Sequence, residues 1–258
     1  MLTEIEHDLL DGVPVADVLR KLIILGGRAG STELRDWASR ELRGYADVLV
    51  DDLPGYRKVP AIIQMDAVVG PHQVSHQTID PHELPEPARE HITNQVPFFQ
   101  GIGEIHAMAE SHDESKTVRI ALPGERVLAH LIDKASGNPY QHINAIYWSV
   151  STVALEGLVD QVRTRLAELL GELRAVTPTG ADVPTAAQAA NAVNIVIHGK
   201  GNSVHVAHAD GNGTSALVER GEIRDGRFWT LGKRVGASVV GLATIAATVI
   251  AWWQFQGE

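Results

Sequence analysis

Apolar positions in the first 45 residues recur at helical spacing. Thr3 and Glu6 stand ahead of an apolar run and read as a capping box opening a short helix. Pro14 suits the first turn of a second helix, where its missing N–H costs little. Val18, Leu19, Leu22, Ile23 and Leu25 give that helix a broad apolar face, and Gly26-Gly27 weakens its end. Ser31 or Thr32 caps a third helix running to Arg43, with Gly44 as its C-terminal cap.

The pattern then mixes two periods. Ala61 to Val69 is short, apolar and partly β-branched, which predicts a strand. Pro71 to Pro87 holds four prolines and three histidines and reads as loop. Helices are expected over Arg89 to Asn94, Phe98 to Ala109 and Glu125 to Ala135. Strands are expected over Val118 to Leu122 and His142 to Val150. The last strand leads into a long helix reaching about Val176. Along it Leu155, Val159, Val162, Leu166, Leu169 and Leu173 recur at steps of 4, 3, 4, 3 and 4. Such a seam suits packing on the domain's own sheet, or a helix of another molecule. The expected fold class is α+β: a mostly helical soluble domain over residues 1–176 with a small sheet.

Residues 177–192 are small, polar and proline-containing, which predicts a linker. The following run alternates apolar and polar positions around Lys200-Gly201 and predicts a β-hairpin within residues 193–215. Val193, Ile195, Ile197, Val204 and Val206 would share one face. A lone hairpin is marginal in water, so it would pack on something, such as the same hairpin of other copies.

Val235 to Trp253 is nineteen residues without a charge. As a helix it rises about 28 Å, close to the hydrocarbon thickness of a bilayer. The basic segment 216–234 precedes it, ending in Lys233 and Arg234, and no Lys or Arg follows. That asymmetry keeps the N-terminal body in the cytoplasm. Trp229 on one side and Trp252 and Trp253 on the other suit the aromatic belts of the two interfaces. The segment is therefore expected to be a single-pass C-terminal anchor in the lipid bilayer. Ala237, Gly241, Thr244, Thr248 and Ala251 fall at steps of 4, 3, 4 and 3, one face of small residues. Such faces let helices approach closely in lipid and point to a homo-oligomer.

Composition narrows the chemistry. The chain has no cysteine, so neither a disulfide framework nor a thiolate metal site is available. Its N-terminus is acidic and lacks a long apolar run, unlike a secretory signal. The whole net charge of −10 falls within residues 1–176, which argues against nucleic acid as a partner. His72, His76 and His82 invite a metal reading, as does His205-x2-His208-x-Asp210. Pro71 and Pro81 break up the first set, and strand geometry would point the two histidines of the second to opposite faces. No metal and no cofactor is expected. No Walker loop, HExxH, GxSxG or dinucleotide fingerprint occurs, and no catalytic residue is assigned.

The most individual feature of the body is Trp37-x3-Glu41-Leu42-x-Gly44-Tyr45 followed by Leu53-Pro54-Gly55-Tyr56-Arg57. Trp37, Leu42 and Tyr45 are suited to pinning the helix to the next loop, and Glu41 to pairing with Arg57. A ligand site built from Tyr56, Arg57 and Lys58 is the alternative, since Arg is a good phosphate fork. This string resembles the N-terminal region of the AbiTii-type abortive-infection domain of bacteria. The strand and long helix from Ile143 to Leu173, with Val162-Arg163, are similar to its later part. The resemblance implies an effector of bacterial antiphage defence, and the expected anchor places it at the inner membrane, acting by oligomerisation and membrane disruption. Its activation would involve a defence-system partner protein or signal. The alternatives are a membrane-tethered adaptor that only localises a partner, and an enzyme whose site is not local in sequence.

Overall fold

The computed structural model describes residues 1–111 and 116–199. The N-terminal third is helical: α1 (Leu2–Leu10), α2 (Val15–Ala29) and α3 (Thr32–Arg43). Helix α1 starts one residue before the expected Thr3 cap, with Met1 at its N-cap. Thr3 and Glu6 are instead drawn to Arg174, whose guanidinium bonds the Thr3 hydroxyl at 2.8 Å and the Glu6 carboxylate at 2.5 and 2.9 Å. Pro14 is the N-cap of α2, and the Ser31 hydroxyl caps α3 by accepting from the Leu34 N–H.

Two antiparallel sheets follow. Strands β1 (Lys58–Pro60) and β4 (Gln95–Pro97) form a two-stranded ribbon. The larger sheet has the order β3-β2-β6-β5, from β2 (Ile62–Val69), β3 (His72–Ile79), β5 (Thr117–Ala121) and β6 (Gln141–Ser151). β3 corrects the expected loop between Pro71 and Pro87. As an edge strand it is mostly exposed and lacks the apolar alternation that announces a half-buried strand. The helix expected over Arg89 to Asn94 is a single turn, α4 (Glu86–Arg89), before β4. Helix α5 begins only at Ile102 and ends at Ala109, because Phe98 to Gly101 run extended against the end of α3.

One face of the large sheet is core. Ile63, Ala67, Ile79, Ile143, Ile146, Trp148 and Val150 are buried there together with the helices. Helix α6 (Glu125–Ser136) packs beside β6. Strand β6 passes into α7 (Thr152–Val176) without an intervening loop, and the Ser151 hydroxyl accepts from the Val153 N–H at the junction. The seam of α7 is internal. Leu155, Val162, Leu166, Leu169 and Leu173 are fully buried, Val159 is half-buried, and the helix packs on α1, α5 and α8.

The expected linker and the first strand of the expected hairpin are corrected by α8 (Ala186–His198). Thr185 and Gln188 form a capping box, the reciprocal side chain-to-backbone pairing that starts a helix. Ala189, Ala192 and Val193 are buried against α3 and α7. The β-branched run Val193 to Ile197 favours a strand locally, but burying this face on two helices outweighs that preference. The second half of the expected hairpin, the basic segment and Val235 to Trp253 lie outside the described residues. Among those described, no helix is long and apolar enough to cross a membrane.

Helix α8 is thus an integral part of the core. Replacing Val193, which is 1% exposed, with Asp buries a charge between α8 and its neighbours. The expected cost is at least about 3 kcal/mol of stability, read as a lower denaturation midpoint. An unchanged midpoint would mean that α8 is not docked.

Candidate functional site

Two polar constellations stand out, one inside the body and one on its surface. The inner one is the Trp37 to Arg57 string. Helix α3 brings Trp37 and Glu41 to its buried side, and the loop after Gly44 returns Tyr45, Tyr56 and Arg57 to the same place. Glu41 and Arg57 are both fully buried, their ion pair closing at 2.5 Å. The other Glu41 oxygen accepts from the Tyr56 hydroxyl at 2.6 Å and from the Tyr45 hydroxyl. Arg57 Nη1 donates to the Gln100 carbonyl at 2.6 Å, and the guanidinium lies 4.9 Å from the Tyr45 ring centre. Leu53 is buried below this network, while Leu42 and Pro54 are half-buried.

This geometry decides the role of Arg57. Its fork is directed inward at Glu41 and at backbone carbonyls, so it cannot be presented to an outside anion together with Lys58. Backbone packing fixes the rest. Gly44 has φ +101°, and a Cβ there would stand 2.4 Å from the Phe99 carbonyl oxygen. A Cβ on Gly101 would stand 2.4 Å from the Leu42 carbonyl oxygen. Two glycines therefore let the end of α3 cross the segment before α5 at contact distance. Phe98, Gln100 and Gly101 belong to the constellation but lie outside the sequence motif; Gly101 two residues after Phe98-Phe99 was the available signal.

The outer constellation lies on the open face of the large sheet and comprises Asp66, His76, Arg119 and Tyr147, one from each strand. Both neighbours of β2 slip register at Asp66. On β3, Ser75 and His76 oppose it together, and on β6 Asn144 is the extra residue. His76 has φ +58°, an uncommon conformation for a residue with a Cβ. Its N–H donates to Asp66 Oδ1 at 2.8 Å. The Tyr147 hydroxyl is 3.1 Å from the same oxygen and 3.0 Å from His76 Nδ1. Arg119 Nη1 donates to Asp66 Oδ2 at 2.8 Å, and its guanidinium lies 4.4 Å from the Tyr147 ring centre.

Desolvation pushes the Asp66 carboxyl upward. The bonds from the His76 N–H, Arg119 and Tyr147 outweigh it and hold the group below the ordinary carboxylate value. Desolvation and the Asp66 charge raise Tyr147. The three histidines weighed and set aside as a metal set are dispersed: His72 and His76 sit on β3 and His82 in the turn after it. Among the described residues no group of three acidic or histidine side chains is placed to hold a metal ion. The anchor positions Ala237, Gly241, Thr244, Thr248 and Ala251 and the flanking Trp229, Lys233, Arg234, Trp252 and Trp253 lie outside the described residues.

The inner network yields two measurable outcomes. Glu41→Gln leaves the Arg57 charge buried and unpaired, which should cost about 3–5 kcal/mol in chemical denaturation. Alkaline pH gives the second. Desolvation, then the Glu41 charge, raise Tyr45 and Tyr56 above their ordinary value of 10.0. A group raised on folding contributes fully below its unfolded value and loses that contribution as pH climbs toward the folded one. Stability should therefore fall steeply above about pH 10, and the Tyr45→Phe, Tyr56→Phe double variant should flatten that fall. A double variant as steep as the parent would exclude these tyrosines as the cause.

Comparison with known proteins agrees with the placement of the motif inside one continuous body. The family model AbiTii matches residues 1–198, a range that ends at the last residue of α8. No curated protein and no solved structure matches the chain. With a match over most of its length, the chain belongs to the AbiTii family, whose role is abortive infection in antiphage defence.

Proposed function

We propose that this protein is a membrane-anchored effector of antiphage defence that acts as a homo-oligomer and disturbs the membrane when triggered. The observation that carries the reading is the uncharged segment Val235 to Trp253, which follows the family domain after a basic stretch. Its length, one-sided basic flank and aromatic ends suit a single pass through the bacterial inner membrane with the body cytoplasmic.

The fold supports one refinement. The leucine seam of α7 is used up inside the domain. Self-association in this reading therefore falls to the anchor, through Ala237, Gly241, Thr244, Thr248 and Ala251. Among the described residues, the buried charges of the body serve packing. The body then holds and triggers the anchor, while a defence-system partner or signal supplies the cue.

Deleting Val235 to Glu258 should release the protein from membranes; a truncated protein that still sediments with them after a high-salt wash would rule out the anchor. Gly241→Ile separates effector from tethered adaptor. It keeps the segment apolar while forcing helices apart, so targeting should persist, whereas crosslinking to higher species and growth arrest on infection should fall together. If the variant arrests growth and crosslinks like the parent, the small-residue face has no part in the activity.

A further inference from the structure

The outer constellation contains a chain of forced hydrogen-bond assignments. Ionised Asp66 can only accept. The Tyr147 hydroxyl has one proton, and its bond to Asp66 Oδ1 at 3.1 Å requires that proton. Tyr147 can then meet His76 Nδ1, 3.0 Å away, only as an acceptor, so Nδ1 must carry the imidazole proton. This leaves the Nε2 lone pair of neutral His76 without a partner among the described residues, on an exposed side chain. Arg119 stands on the far side of Asp66, half-exposed, and bonds the carboxylate through Nη1, leaving other N–H groups of its fork unused among the described residues.

We propose that His76 and Arg119 form a surface binding site for phosphate monoesters, with Asp66 and Tyr147 as positioning residues that set the His76 tautomer. Arg119 donates to the anionic oxygens. The ligand's monoanion, the form that predominates below its second pKa of about 6, donates its remaining P–O–H to His76 Nε2, which is held as an acceptor. The chemistry favours phosphate over sulfate, because sulfate at neutral pH has no proton to offer the lone pair. The setting suits a site better than a structural cluster. Asp66, His76 and Arg119 lie off the hydrophobic core with Tyr147 buried beside them, two strands bulge around Asp66, and His76 holds a left-handed backbone that the Asp66 carboxylate secures. Bulges and held strain of this kind concentrate at functional positions. The proposal does not depend on the membrane reading.

Nuclear magnetic resonance on the full chain tests both halves. Long-range proton–nitrogen correlations should show the Nδ1–H tautomer of His76, and in Tyr147→Phe the ring should revert to the common Nε2–H form. An Nε2–H ring in the parent overturns the assignment. Titration with inorganic phosphate should shift the His76 ring and Arg119 signals saturably. Arg119→Gln should weaken binding roughly tenfold, as loss of one charge-assisted bond implies, and sulfate should bind about tenfold less well than phosphate. Equal binding of sulfate, or equal binding by Arg119→Gln, overturns the site. His76→Gly suits the left-handed backbone, so it should keep the fold while abolishing the Arg119 shift. A nucleoside 5′-monophosphate and a short-chain phosphatidic acid then distinguish a soluble ligand from a lipid headgroup. Failure of both to shift His76 rejects the phosphomonoester class.

Discussion

The ion pair between Glu41 and Arg57 is the contact on which the helical half and the β half both depend. Glu41 belongs to α3, Arg57 leads into β1, and the carbonyl of Gln100 that Arg57 also holds precedes α5. Removing two charges from water is costly, and attraction between them offsets the cost only when the remaining donors and acceptors are satisfied. Tyr45 and Tyr56 on Glu41, and backbone carbonyls on the two terminal nitrogens of Arg57, meet most of that condition, and only the buried Arg57 Nε–H has no partner among the described residues. The motif therefore behaves as one unit: changing any member leaves another buried and short of a partner. Gly44 and Gly101 extend the same constraint to the backbone, since neither crossing strand of chain has room for a side chain.

Much of this was legible in the sequence, for reasons that can be named. The three N-terminal helices, β2, β5, β6 and α7 each carry a clear period and a broad apolar face. The Glu41–Arg57 pair was legible because opposite charges stood among aromatics that had to be buried. What was missed has the opposite character. β3 is an edge strand with few buried side chains, so nothing in its pattern distinguishes it from loop. Helix α8 has a strand-like local preference that packing against α3 and α7 overrides. Its capping box at Thr185 and Gln188, the alanine-rich stretch up to Ala192 and Gly199 at its C-cap were the local signals for a helix. The Thr3 cap failed for a related reason: Arg174, far along the chain, claims Thr3 and Glu6.

The surface constellation was not legible at all. Asp66, His76, Arg119 and Tyr147 lie on four different strands, and their meeting depends on register shifts on β3 and β6 that no residue type announces. Three histidines within the 71–87 stretch suggested a shared ligand set. The strand separates them, and only His76 has a defined setting, created by a tyrosine 71 positions away. Spacing along a chain finds chemistry on one helix or one loop; it does not find chemistry assembled across a sheet.

The direct passage of β6 into α7 has a mechanical consequence. With no loop residue between Ser151 and Thr152, the strand and the twenty-five-residue helix cannot swivel independently, and together they form a continuous beam through the body. A joint exists only after Val176, where the Thr177 hydroxyl is tied back to the Leu173 carbonyl at 2.5 Å and the chain turns toward α8. Tension arriving from beyond Gly199 would therefore load α8 first and reach the beam only by peeling α8 from α3 and α7.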